Sequence, residues 1–487
     1  MKTGARGRGS SLLAALLLGA CASLPPVEPM IAAAVAADKA PTVQLPSGKA
    51  SAAAGNRMVA DVDRVSEDFS QHVAAEEAIA GVPLTAGNSV TLLQDGPASY
   101  RAMFAAMEQA KDHINIEFYI IEADAVGDRL TAVLLKKRAQ GVKVNLIYDS
   151  VGSSNTPREF FGRLREAGVK VMEFHPLNPT EVGKRGWQIN KRDHRKILIV
   201  DGTVAFTGGI NISSVYSSGS GPGGSGSRGR VAPRAATDFG DPDAAKNDES
   251  KNPKDPKRSG WRDTNIQVRG PAVAQFQQLF TDTWVKHTGE ALQPADYFPA
   301  PRAEGRHLVR VIGSSPDDPV ATIHATLISA VQHAQRSIHI TMAYFIPDPQ
   351  TLAALTVAAG RGVEVKLVLP SYSDFWASFH AGRSHYRELL DAGVKIYERQ
   401  GALLHAKTIV IDGLWSTVGS SNIDWRSFLH NDEVNAVVLS PEFAAQMEAM
   451  FQRDLDHSMP VTAASWKQRP FSDRVKEWGA RVWEYWL

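Results

Sequence analysis

"RDHRKILIVDG" (residues 192–202) and "LLHAKTIVIDG" (residues 403–413) follow one pattern: His, a Lys two residues on, four mostly apolar residues, then Asp-Gly. The Ile/Leu/Val run predicts a buried strand. In a continuous strand, His194 and Lys196 project to one face, as do His405 and Lys407. Asp201 and Asp412 stand at an odd spacing from their histidines and face away. Each is followed by Gly, which suits a tight hairpin. The two aspartates are expected to fix the turn or an interdomain contact more than to touch a substrate.

The match continues beyond the hairpin. Gly208, Gly209 and Asn211 precede Gly419, Ser420 and Asn422 by the same 211 residues that separate the histidines. Small residues let a backbone approach an anion, and an Asn amide can donate to it. An acid follows in each copy: Asp263 in "WRDTNIQV" and Glu433 in "NDEVNAVV". A carboxylate at one imidazole nitrogen would fix the tautomer and strengthen the base. The gap before Asp263 is longer by about the length of Ser217–Gly260, a Gly/Ser/Pro/Asp-rich stretch expected to be a disordered insertion.

The surrounding chain repeats as well. "YRAMFAAMEQAKDHINIEFYII" (100–121) and "IHATLISAVQHAQRSIHITMAYFI" (323–346) both predict an amphipathic helix followed by a strand. "RAQGVKVNLIYD" (138–149) is echoed by "AGRGVEVKLVLP" (359–370), and "REAGVKVMEF" (165–174) by "LDAGVKIYER" (390–399). Each echo is a helix end, a glycine stop and a β-branched strand. The predicted fold class is therefore α/β: two homologous domains, about 85–292 and 306–463, each a mixed or largely parallel sheet flanked by helices.

The 487 residues suffice for two such cores, and a net charge of +1 argues against a chain built mainly to coat nucleic acid. Lys2, Arg6 and Arg8 precede a short apolar run that stops at Cys21, the single cysteine. That run is too short to span a bilayer. "LGAC" resembles the bacterial lipobox, which implies a signal peptide over 1–20 and acylation of Cys21. Ala22 after it implies outer-membrane sorting, on the periplasmic side of the cell envelope. Residues 21–84, Ala- and Pro-rich near their start, read as a flexible tether.

With both motifs, both Gly/Asn tails, "WRDTN" and "NDEVN" in hand, the chain resembles the phospholipase D superfamily, in its two-domain cardiolipin synthase-like branch. The resemblance covers about residues 85–487. The leader, the tether and the insertion fall outside it. It implies a pseudo-twofold axis with one active site at the domain interface, and a catalytic set of His194, Lys196, Asp201, His405, Lys407 and Asp412. Gly208, Gly209, Asn211, Asp263, Gly419, Ser420, Asn422 and Glu433 would bind or orient the substrate. Displacement at a phosphodiester needs a nucleophile, an acid for the leaving oxygen and positive charge around the phosphoryl oxygens. Two half-sites facing one phosphate supply all three, which explains the duplication. Analogy makes His194 the nucleophile, forming a phosphohistidine, and His405 the general acid; sequence symmetry leaves the order open. The implied reaction is phosphatidyl transfer to an alcohol, as in cardiolipin formation, with hydrolysis to phosphatidic acid as the alternative. A nucleic-acid phosphodiesterase and a non-catalytic lipid receptor are the rival classes. No cofactor or metal is expected, since the lysines supply the cationic charge.

The expected partners are phospholipids and a membrane surface, with no nucleic acid. Residues 464–487 predict an aromatic C-terminal helix, with Ser472 as cap and Val475, Trp478, Val482 and Trp486 on one face. That face suits a bilayer interface or the second domain equally. Lys184, Arg185, Lys191 and Arg192 around Trp187 could steer an anionic headgroup. Phe375, Trp376 and Phe379 could form a lipid-facing loop or be covered by the domain.

Overall fold

The computed structural model describes residues 24–37, 42–45, 50–51, 67–178, 188–217 and 260–487. Cys21, the Lys184–Trp187 part of the basic loop and nearly all of the expected insertion lie outside these. Each half builds a mixed sheet in the same strand order. In the first half Lys170–Phe174, Lys143–Asp149 and His113–Phe118 run parallel. Lys196–Val200, Val204–Gly208, Asn265–Arg269 and Leu84–Leu93 then add antiparallel. The second half repeats this with Lys395–Arg399, Glu364–Pro370 and Ser337–Met342, then Lys407–Ile411, Trp415–Gly419, Asn431–Leu439 and His307–Ser314. The strand Leu84–Leu93 pairs antiparallel with His307–Ser314, joining equivalent edges of the two sheets.

The glycine stops are real features of the chain. Gly141, Gly168, Gly362 and Gly393 all take positive φ between a helix and the next strand, a conformation costly for residues with a Cβ. Asp95 and Asp124 cap the helices Gly96–Gln109 and Ala125–Ala139 by accepting from their first-turn amides.

Each half has its own apolar core, and a third core lies between them. In that shared layer Phe276, Phe280 and Trp284 of helix Val273–Thr288 meet Phe443, Met447 and Met450 of helix Pro441–Asp456. Ile197, Ile199, Val410 and Val418 from the motif hairpins complete it. The motifs thus sit on strands whose apolar residues are fixed by interdomain packing.

Two expectations need correction. The described part of the expected tether is packed structure. Helix Glu28–Ala36 follows Pro25–Pro26, and Leu24, Val27, Ile31, Val43, Phe69 and Val73 are buried in the second half's core. Arg310, fully buried, is paired there with Glu76 at 2.5 Å. Ala-rich sequence lacks a strong amphipathic signal yet allows close helix packing, so composition alone misreads it. Ser472 is not a cap: the last helix is Phe471–Arg481, with Pro470 at its N-cap position and no side-chain cap bond.

Candidate active site

The motif strands are broken at the histidines, and the break crosses the domains. Arg192–Asp193 leave the first sheet and pair parallel with Asn431–Asp432 of the second half. Leu403–Leu404 likewise pair with Trp261–Arg262 of the first. The His194 amide donates to Asp432 O at 2.9 Å and the His405 amide to Arg262 O at 2.8 Å. Each histidine is therefore the immediate cross-strand neighbour of the acid belonging to the other copy.

His194 Nδ1 lies 2.9 and 3.0 Å from the two Glu433 carboxylate oxygens, and His405 Nδ1 lies 2.7 Å from Asp263 Oδ2. In each pair Nδ1–H donates to the carboxylate, which leaves Nε2 as the reactive nitrogen. Both imidazoles line one cavity of about 370 Å³, together with Asn211 and Asn422. Lys196 and Lys407 lie just behind, buried, each Nζ 2.5 Å from its own histidine's carbonyl oxygen.

Burial is the largest influence on the charges. It pulls His194 down to about 4 and lowers His405, with the neighbouring lysines adding to the effect and the paired acids opposing it. Burial also brings Lys196 down to about 7 and lowers Lys407, whose charge repels that of Lys196 across the interface. Burial would raise Glu433, but His194, Lys196 and the Ser420 hydroxyl outweigh it and hold the acid near 2. The two partners pull on one shared proton, and the direction is an ionised Glu433 beside a neutral His194.

Gly209 makes room for Asp263, and Gly208 and Gly419 make room for Asn265 and Asn435. A Cβ on Gly209 would lie 2.2 Å from Asp263 Oδ1, and one on Gly419 would lie 2.0 Å from Asn435 Oδ1; at Gly208 a positive φ adds to a clash with Asn265. These close approaches give the glycines a packing role beside the site. Ser420 donates to Glu433 at 2.5 Å. Asn211 is engaged within the protein, donating to Tyr216 Oη at 3.0 Å and accepting from the Ile120 amide.

Asp201 and Asp412, placed in the catalytic set by resemblance, do not line the cavity. Asp201 accepts from the amides of Lys111, Asp112 and His113 at 2.8–3.0 Å, and Asp412 from those of Gln335, Arg336 and Ser337 at 2.7–2.9 Å. Both take positive φ in the turn with their glycines. Each ties its hairpin to the start of the neighbouring strand, although the strand on which the odd spacing is counted is interrupted at the histidine.

Arg192 and Lys191 are also reassigned. Arg192 is buried, bonded to Ser150 and the His175 and Gln188 carbonyls, and Lys191 pairs with Asp317. Neither is a freely solvated steering charge. Phe375 and Trp376 are exposed, and Phe375 reaches the cavity.

Sequence reading missed the asymmetry beneath the histidines. Arg195 is buried, donating to Thr283 Oγ1 and the Glu433 carbonyl, with Glu117 and Asp432 3.6 Å away. Burial pushes neighbouring Glu117 up to about 7 and raises Asp193. The matching residues beneath His405, Leu404 and Ala406, pack with Val368 and Phe451 in an apolar cluster. "HRK" against "HAK" was the available signal. Tyr119, Tyr344 and Asp424, also in the cavity wall, carry no motif of their own, whereas Trp261 stands at the head of "WRDTN".

The family described as "Cardiolipin synthase, PLD-like domain" matches residues 103–217 and 327–455, one match in each half. The chain belongs to this family. It is 35% identical to the cardiolipin synthase of Geobacillus thermodenitrificans over 402 residues, 82% of this chain and 72% of that protein. It is 33% identical to cardiolipin synthase A of Pseudomonas putida over 405 residues, 82% of this chain and 75% of that one. The crystal structure of phosphatidylserine synthase from Haemophilus influenzae shares the fold, with a TM-score of 0.58 at 12% identity, covering 85% of this chain and 98% of that one.

Proposed function

We infer that the chain is a cardiolipin synthase-type phosphatidyltransferase. The observation that carries this is two imidazoles from separate halves facing one cavity, each backed by the other half's acid. Neutral His194 attacks phosphorus through Nε2, and the bond to the headgroup oxygen breaks. His405 gives that oxygen its proton. A second alcohol then attacks the phosphohistidine, loses its proton to His405, and frees His194. With phosphatidylglycerol as both donor and acceptor, the products are cardiolipin and glycerol. His405 must gain a proton in the complex, and the phosphodiester's negative charge raises the neighbouring imidazole toward that state. Lys196 and Lys407 regain full charge by the same effect and stabilise the phosphoryl oxygens.

Support for His194 as nucleophile is the asymmetry next to each histidine: Arg195 donates to the carbonyl of Glu433, which orients His194, whereas the matching Ala406 beside His405 lies in an apolar cluster. Incubation with phosphatidylglycerol vesicles and mass spectrometry of the lipids tests the reading. Cardiolipin with released glycerol supports it. Phosphatidic acid alone would make the enzyme a hydrolase, and unchanged lipid would remove lipids as its substrate.

The lipobox-like "LGAC" supports an acylated envelope protein on the periplasmic side of the outer membrane. Among the described residues no helix is long and apolar enough to cross a membrane. Cys21→Ser should lower membrane recovery and leave only a peripheral fraction that high salt releases; unchanged, salt-resistant recovery would overturn acylation as the anchor.

A further inference from the structure

We propose that the C-terminal helix Phe471–Arg481 and the turn after it form a docking surface for an anionic bilayer, which brings the active-site mouth to the lipid. The proposal rests on the phospholipid reading of the site and adds the surface by which the enzyme meets its substrate. Phe471, Val475, Trp478 and Val482 recur at helical spacing and stay uncovered. Phe471 is 77% exposed, Trp478 74% and Val482 66%, while Glu477 and Ala480 on the opposite face are buried. A helix with one buried face and an apolar outer face needs a second partner.

Two observations favour a membrane over a protein. The first is position. The helix packs beside Trp376–Ser384, which begins at exposed Trp376 and follows cavity-lining Phe375. After the helix come exposed Trp483 and Trp486, then Leu487, which lines the catalytic cavity. The apolar surface therefore runs up to the mouth of the site. The second is charge. A hollow of about 620 Å³ beside the same helix is lined by Arg387, Lys467, Arg469 and Arg474 around Trp466, with Asp391 as the one acid in its wall. Arg469 is matched by Glu477 behind it and Arg387 lies near Asp391, so the surplus comes from Lys467 and Arg474. Trp side chains at an apolar edge beside cations match the headgroup boundary of a bilayer.

The test uses the chain carrying Cys21→Ser, so that no acyl group contributes, and flotation with vesicles of phosphatidylglycerol and phosphatidylcholine. The expected result is binding that falls at least tenfold in Trp478→Glu/Val482→Glu, and severalfold in Lys467→Glu/Arg474→Glu, with the thermal midpoint unchanged. Undiminished flotation of the Trp478/Val482 variant would overturn the proposal. So would light scattering that shows a dimer dissociated by these changes, because a second copy would then cover the face. Flotation reports binding whether or not the lipid is turned over, so failure of the transferase reading leaves this result separately interpretable.

Discussion

Glu433 of the second half holds His194 of the first, with Nδ1 2.9 Å from Oε1 across 239 residues of chain. His405 and Asp263 repeat the relationship in the opposite sense at 2.7 Å. Each half thus supplies a reactive group to one dyad and its orienting acid to the other, so neither half holds a complete pair.

Glu433→Gln keeps the shape but removes the charge that fixes the imidazole tautomer. The expected loss in kcat is about 10²- to 10⁴-fold with KM little changed. Steady-state kinetics of transfer check it, and a loss confined to KM would assign Glu433 to substrate binding instead.

Asp201→Ala should act on stability. It removes an acceptor shared by three amides and places Ala at positive φ. The expected cost is about 2–4 kcal/mol in urea unfolding, with kcat of the remaining folded enzyme within a few-fold of normal. A catalytic defect without destabilisation would contradict the turn-anchoring role.

Gly209→Ala should strike catalysis through Asp263, whose carboxylate occupies the space a Cβ would need. A fall in kcat of at least tenfold is expected, and Ser420→Ala, which removes one hydroxyl donor to Glu433, should do less. Equal effects, or none from Gly209→Ala, would contradict the packing argument.

Burial holds His194 near 4, below its ordinary 6.5. Between those values the unfolded chain binds a proton that the folded chain does not, so stability falls as pH drops through that window. This group alone contributes a slope approaching about 1.4 kcal/mol per pH unit. His194→Gln should flatten the measured slope between pH 6.5 and 4. An unchanged slope would mean that His194 is protonated in the folded enzyme.

The repeat and its chemistry were legible because each element was written twice. The histidine spacing, the glycine stops and the acids after each hairpin reinforce one another at a fixed offset. The crossing of the acids was not legible: either acid could have served its own histidine, and only the break at His194 and His405 sends each strand to the other domain. Gly209 and Ser420 show a related limit. Small residues beside a phosphate site fit an anion cradle, and the adjacent carboxylate that fills the space comes from a strand far along the sequence. The Ala-rich amino-terminal segment failed for a third reason. Its burial of Ile31 and Phe69 depends on a surface of the second half that no local pattern announces.

The most direct measurement counts phosphatidyl groups on the chain. Rapid alkaline quench during turnover of phosphatidylglycerol, followed by peptide mass spectrometry, should find at most one covalent group per chain, on His194. Two groups per chain, with His194 and His405 labelled independently, would contradict a single site shared by both halves.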